Sequence, residues 1–194
     1  MAILIAGFGN LLLGDDGFGV EVIKNLNSTA LPSHVQTIDV GIGGMEMVLR
    51  LKNGFDEMIV VDAVRRGKAP GTLYVFSPSE QELDLGTDQT LNPHVAEPTA
   101  AMRMAKKLGI LPPKVTVVGC EPESCSLGPG LSISVTAAAG QAAKTIRMLV
   151  DQARNANEAR RQSPTSVLLP RVAWGRRKEG ELEKTAQRRF EQEP

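Results

Sequence analysis

Aromatic residues make up only 4% of this chain, and it holds just two cysteines. With so few rings, the core must be built from Val, Ile, Leu, Met and Ala. Cys120 and Cys125 are too few for a disulfide scaffold, and their C-x4-C spacing lacks the second Cys/His pair of a zinc site. An excess of charge of either sign is also missing, since 22 Lys and Arg face 22 Asp and Glu. That balance argues against nucleic acid as a partner, because phosphate backbones are held by a basic surplus. No apolar run approaches the roughly 18 residues of a membrane span. The opening Met1-Ala-Ile-Leu-Ile-Ala has neither a basic n-region nor a small-residue cleavage site. A cytoplasmic monomer in a reducing compartment, with no membrane partner, is expected.

What is present suits one compact α/β domain, and 194 residues leave room for a sheet covered on both faces. Ile3-Leu-Ile-Ala6 is an unbroken apolar run ending at Gly7, which reads as a strand buried on both faces. Gly17–Asn27 has Val20, Ile23 and Leu26 at helical spacing, with Asp15 or Asp16 as a candidate N-cap. Val35–Asp39 reads as a second strand, then a turn at Gly41, Gly43 and Gly44 and a short helix from Met45. Met58–Asp62, Thr72–Phe76 and Lys114–Gly119 complete about five strands. Pro98 must lie close to the start of the helix through Met102 and Leu108. The last core helix is expected over Ser134–Gln152, with Ala138, Ala142, Ile146 and Leu149 on one face. Strands alternating with helices imply a mostly parallel twisted sheet with helices on both faces, a single three-layer domain.

The domain is expected to span residues 1–153, and 154–194 to be a charged, flexible C-terminal tail. Residues 151–194 hold ten basic and seven acidic side chains, a net +3, so 1–150 carry −3. The tail's apolar islands are Val167–Leu169 and Val172–Trp174. No internal repeat is visible.

Four stretches carry residues able to do chemistry. The first is Gly7-Phe-Gly9-Asn10-Leu-Leu-Leu-Gly14-Asp15-Asp16-Gly17. A dinucleotide fingerprint would need glycine at position 12, where Leu stands, and a Walker loop would need Gly-Lys-Ser/Thr. Two adjacent carboxylates would also repel a pyrophosphate, so a nucleotide-binding domain is the weakest reading. Instead the glycines let the backbone turn and present Asp15 and Asp16 at the sheet's carboxyl edge. One acid can cap the following helix; a second beside it points to function. Next comes Asp62, emerging from Ile59-Val60-Val61 at the strand end where open α/β proteins place their sites. In the third, Asn92-Pro93-His94-Val95-Ala96-Glu97-Pro98, His94 precedes a helix and is one of two histidines. Two carboxylates and an imidazole suit a borderline divalent metal such as nickel or zinc, and equally an acid/base set without metal. Last is Gly119-Cys120-Glu121-Pro122-Glu123-Ser124, followed by Gly128-Pro129-Gly130-Leu131-Ser132. Glu121 and Glu123 can line the site or a loop surface, and Ser132 or Ser134 can cap the last helix. Cys125 lacks any neighbour in sequence that would lower its pKa and make it a nucleophile.

Taken in order, these stretches resemble the nickel-iron hydrogenase maturation protease family. The likeness covers about residues 3–150 and rests on GFGNLLLGDDGFGV, DVGIGGME from Asp39, IVVDAV around Asp62, APGTLYVF, a histidine before a helix, and VVGCEPESCSLGPGLS. It implies an endopeptidase that removes the C-terminal extension of a hydrogenase large-subunit precursor once nickel is inserted. It further implies that Asp16, Asp62 and His94 recognise that nickel, which is carried by the substrate rather than permanently bound. The family has Glu or Asp at the first of these positions. Val95-Ala-Glu-Pro differs from the Gly- and Leu-containing run often found after the histidine, and the basic tail is atypical. The alternative function is a non-catalytic, metal-sensing chaperone that binds the precursor through the same three residues.

Overall fold

In the computed structural model, residues 1–79, 83 and 98–162 are described, and Met1–Arg160 form one compact unit. Its centre is a five-stranded sheet in the order β2-β1-β3-β5-β4. The strands are β1 (Ile3–Phe8), β2 (Val35–Gly41), β3 (Glu57–Ala63), β4 (Leu73–Phe76) and β5 (Lys114–Cys120). All pair in parallel except β4, which runs antiparallel along β5 at one edge. The expected mostly parallel, three-layer architecture is therefore the observed one. Among the described residues, the helices that cover it are α1 (Phe18–Asn27), α2 (Gly44–Leu51), α3 (Pro98–Lys107) and α4 (Ile133–Gln162).

Alternation along the strands decides which side chains meet which helices. Ile3 and Ile5 of β1, Ile59 and Val61 of β3, and Val118 and Cys120 of β5 form one core with α1 and α4. Leu4, Ala6 and Phe8, Met58 and Val60, and Val115 and Val117 form the other with α2 and α3. Both faces of the central strands are thus buried, which explains their unbroken apolar runs. The predicted stripe Val20, Ile23 and Leu26 of α1 is buried, as are Ala138, Ala142 and Ile146 of α4.

After β1 the chain turns to β2 on one side; after β2 it passes to β3 on β1's other side. Helix α1 joins the first core and α2 the second, so the winding direction reverses between β1 and β3. Such a reversal opens a crevice beyond the carboxyl ends of those two strands.

The end of the last helix departs from expectation. Helix α4 runs ten residues past Gln152, to Gln162. Among the described side chains its last buried one is Ala153, and those that follow through Ala159 are exposed or, at Asn157, half-buried. Asp151 and Arg154 pair at 3.3 Å on that surface, an i,i+3 arrangement compatible with helix. The rest of the expected tail, including Val167–Leu169 and Val172–Trp174, lies outside the described residues.

Candidate active site

The crevice at β1 and β3 is bounded by the β1–α1, β3–β4 and β5–α4 loops. Gly14 donates to the Gly128 carbonyl at 2.8 Å and Gly128 to the Leu12 carbonyl at 2.9 Å, so the first and third run side by side. Val64 donates to the Cys120 carbonyl at 2.8 Å, tying the second to the end of β5.

Asp15 and Asp16 sit in a single 3-10 turn, Gly14–Gly17, between β1 and α1. Neither side chain caps a helix: Leu13 and Gly17 occupy the N-cap positions, without side-chain hydrogen bonds. The cap reading of these acids is therefore wrong, and the reason is long-range. Asp15, 1% exposed, accepts hydrogen bonds from the backbone N–H of Glu123 (2.8 Å), Ser124 (3.1 Å) and Ser132 (2.6 Å) and from the Ser132 hydroxyl (3.0 Å). Burial pushes its carboxyl up, but the donors from Ser132, Ser124 and Glu123 outweigh it and hold the group below its ordinary value. Asp15 is thus a tether that fixes the β5–α4 loop. Ser132, directly before α4, spends its hydroxyl on that tether.

Asp16 faces differently. It is half-buried, and its Oδ2 accepts the Asn10 N–H at 2.8 Å. Asn10 Oδ1 accepts in turn from Leu12 N–H at 2.9 Å, closing a local turn. Among the described residues Asp16 Oδ1 accepts no hydrogen bond. Within that set one oxygen positions the carboxylate and the other carries no hydrogen bond.

Two glycines set the depth of this turn. A Cβ on Gly9 (φ 130°) would stand 1.8 Å from the Asp16 carbonyl oxygen. One on Gly19 would stand 2.3 Å from both the Phe8 and Val61 carbonyl oxygens. The start of α1 therefore packs directly on the ends of β1 and β3, beside Asp62.

Asp62 is half-buried near the end of β3, on the same face as Val60. It lines a cavity of about 310 Å³ together with Val60, Arg66, Phe76 and Met102. His94 lies outside the described residues. Among the described residues no three His, Cys, Asp or Glu side chains form a metal-holding group.

Glu121 belongs neither to the crevice lining nor to the surface. Only 5% exposed, it accepts from Arg66 N–H (2.8 Å), Gly67 N–H (3.2 Å) and the Tyr74 hydroxyl (2.6 Å). The Tyr74 hydrogen bond is the main cause that takes its carboxyl down to about 2, and burial together with Glu121 takes the Tyr74 hydroxyl up to about 12. Glu123 is exposed. Both cysteines are free. Burial lifts the Cys120 thiol to about 12 and also raises that of Cys125, so neither is set up as a nucleophile.

This arrangement has counterparts among known proteins. The family model for hydrogenase maturation proteases matches residues 20–148. The chain belongs to that family. This protease is 34% identical to the hydrogenase 2 maturation protease of Escherichia coli over 142 residues, covering 71% of this chain and 83% of that one. It is 32% identical over 182 residues to the hydrogenase expression/formation protein HoxM of Azotobacter vinelandii, covering 90% and 86%. Its fold matches that of the hydrogenase maturating endopeptidase HybD from E. coli with a TM-score of 0.67 and 29% identity, over 79% of this chain and 94% of that one. The protease is accordingly a hydrolase, an endopeptidase of hydrogenase maturation. That class sets aside the non-catalytic chaperone and the nucleotide-binding domain.

Sequence reasoning missed two groups. Arg66 was unremarkable in a polar loop, and only the antiparallel β4 brings Phe76 beneath it. The pairing of Tyr74 with Glu121 spans 47 residues and has no local signature.

Proposed function

We propose that this protease removes the C-terminal extension of a nickel-iron hydrogenase large-subunit precursor, and that Asp16, Asp62 and His94 receive the nickel the precursor carries. The observation that supports the reading is the strand register. Gly7 of β1 lies opposite Val61 of β3, so the 3-10 turn that holds Asp16, which follows β1, and Asp62, near the end of β3, lie at the carboxyl ends of adjacent parallel strands. His94 joins them on the strength of its motif.

Two carboxylates with an imidazole make a donor set suited to nickel. Asp16 is half-prepared for it, with Oδ2 fixed by Asn10 and Oδ1 available. When the precursor's nickel docks there, it anchors the adjoining peptide beside the crevice. Holding a scissile bond in place can supply roughly 7–11 kcal/mol of the barrier through proximity and orientation. Cleavage then depends on nickel loading, because an unloaded precursor lacks the anchor. The free cysteines fit a reducing cytoplasm, where we expect the protease to act as a monomer.

The test mixes purified protease with nickel-loaded and nickel-free precursor and follows the mass of the large subunit. Loss of the extension from the loaded form alone is expected. Equal cutting of both would sink the nickel requirement, and cutting of neither would sink the choice of substrate.

A further inference from the structure

The cavity beside Asp62 has a chemistry that metal recognition does not use. Val60, Phe76 and Met102 give it apolar walls, while Arg66 and Arg103 bring positive charge to its lining. At about 310 Å³ it stands at the small end of ligand pockets, roughly 300–1,000 Å³, room for one or two side chains rather than a folded segment.

Arg66 is held for recognition. Its guanidinium lies 3.9 Å from the Phe76 ring centroid and 5.3 Å from that of Tyr74. Its backbone N–H is fixed on Glu121 Oε2, and Tyr74 is held by the same carboxylate. A guanidinium stacked on a ring face keeps its N–H donors at its edges, where they match the two oxygens of a carboxylate. Glu121 itself is occupied by the backbone of Arg66 and Gly67 and by Tyr74. Among the described residues no carboxylate forms an ion pair with the Arg66 guanidinium.

We propose that this cavity is a substrate subsite that takes an acidic side chain of the precursor peptide, its apolar stem against Val60, Phe76 and Met102 and its carboxylate on Arg66. The proposal rests on the peptide substrate argued above. Its logic is charge complementarity: the substrate presents a cation at Asp62 and an anion at Arg66, and a peptide lacking either docks less well. The subsite therefore adds a sequence requirement to the metal requirement.

The experiment uses the full chain and two blocked pentapeptides, acetyl-Ala-Val-Glu-Val-Ala-amide and its Gln counterpart, titrated by NMR. The Glu peptide is expected to bind about five- to tenfold more tightly, with shifts at Arg66, Phe76 and Met102. Arg66→Gln, checked for native circular dichroism, should abolish that ratio, and Arg66→Lys should keep part of it, having charge without the planar fork. Equal binding of the two peptides, a ratio untouched in Arg66→Gln, or shifts elsewhere would overturn the subsite. On precursor, Arg66→Gln should raise KM with kcat retained. If the wild type leaves the precursor uncut, the proteolytic reading fails while the peptide ratio still decides the subsite.

Discussion

At the level of single residues, two neighbouring aspartates have been given different work, Asp15 by partners more than a hundred positions away and Asp16 by one six positions away. Asp15 faces four donors from the β5–α4 loop, whereas Asp16 faces one from Asn10 and keeps an oxygen available. Asp15→Asn should therefore destabilise the fold by about 2–3 kcal/mol in urea titrations, since it turns a charged acceptor into an amide whose NH2 confronts N–H groups. Its acid limb should change too. The folded carboxyl sits below its ordinary value of 3.8, so its stabilisation is full above that pH and fades as pH falls through the lower folded value. Asp16→Asn should do the reverse: stability within about 1 kcal/mol of wild type, and cleavage of nickel-loaded precursor down by at least about 10–100-fold. A large stability loss without loss of cleavage would remove Asp16 from the site.

Glu121 and Tyr74 give a pH window of their own. Glu121 falls from 4.5 to about 2 on folding, so its contribution is complete above 4.5 and is lost as pH drops toward 2. Tyr74 rises from 10 to about 12, so its contribution is complete below 10 and is lost as pH climbs toward 12. Urea midpoints measured across pH should flatten at the acid end in Glu121→Gln and at the alkaline end in Tyr74→Phe. Unchanged limbs in both variants would show that the pair does not couple to folding.

At the level of elements, the site depends on how closely α1 approaches the sheet. Gly19→Ala forces a methyl into two carbonyl oxygens of β1 and β3, so the 3-10 turn must lift away from Asp62. Precursor cleavage should be lost, with a stability cost of about 3 kcal/mol or more, as overpacking against backbone cannot relax like a flexible side chain. Gly54→Ala is the control. Its φ of 80° is strained, but nothing lies within 4 Å of the added methyl, so the cost should stay near 1 kcal/mol with cleavage intact. If both variants behave alike in denaturation and cleavage, close packing is not what positions the turn. These elements were also the most legible in the sequence. Ile3–Ala6 and Met58–Val61 are apolar without interruption because helices cover both faces, and Val20, Ile23 and Leu26 mark α1 because only one face is covered. The direction of β4 was not legible, since an apolar pattern says nothing of which neighbour a strand will pair with. Nor was the tether at Asp15, because a cap and a long-range acceptor look identical when read locally.

For the molecule as a whole, the question is where the fold stops needing its chain. The helical stripe of α4 was readable through Leu149, but Val150 and Ala153 also enter the core, and no described side chain beyond Ala153 is buried, although the helix runs on to Gln162. Burial rather than helix length should set the limit. A chain ending at Gln162 keeps every buried apolar residue of α4, and its Tm should lie within about 2–4 °C of the full chain, the shift of roughly 1 kcal/mol. Ending instead at Arg147 removes Val150 and Ala153 from the core, and the loss of a buried Val and a buried Ala should lower stability by about 2–3 kcal/mol. Calorimetry of the three chains separates these outcomes from an even decline with length. Cleavage assays on the same chains address the basic segment. The acids that define the crevice all precede residue 100, so the chain ending at Gln162 should process nickel-loaded precursor at the wild-type rate. Retained Tm with a raised KM would instead assign residues 163–194 to substrate capture, since their Arg and Lys surplus can steer an acidic partner.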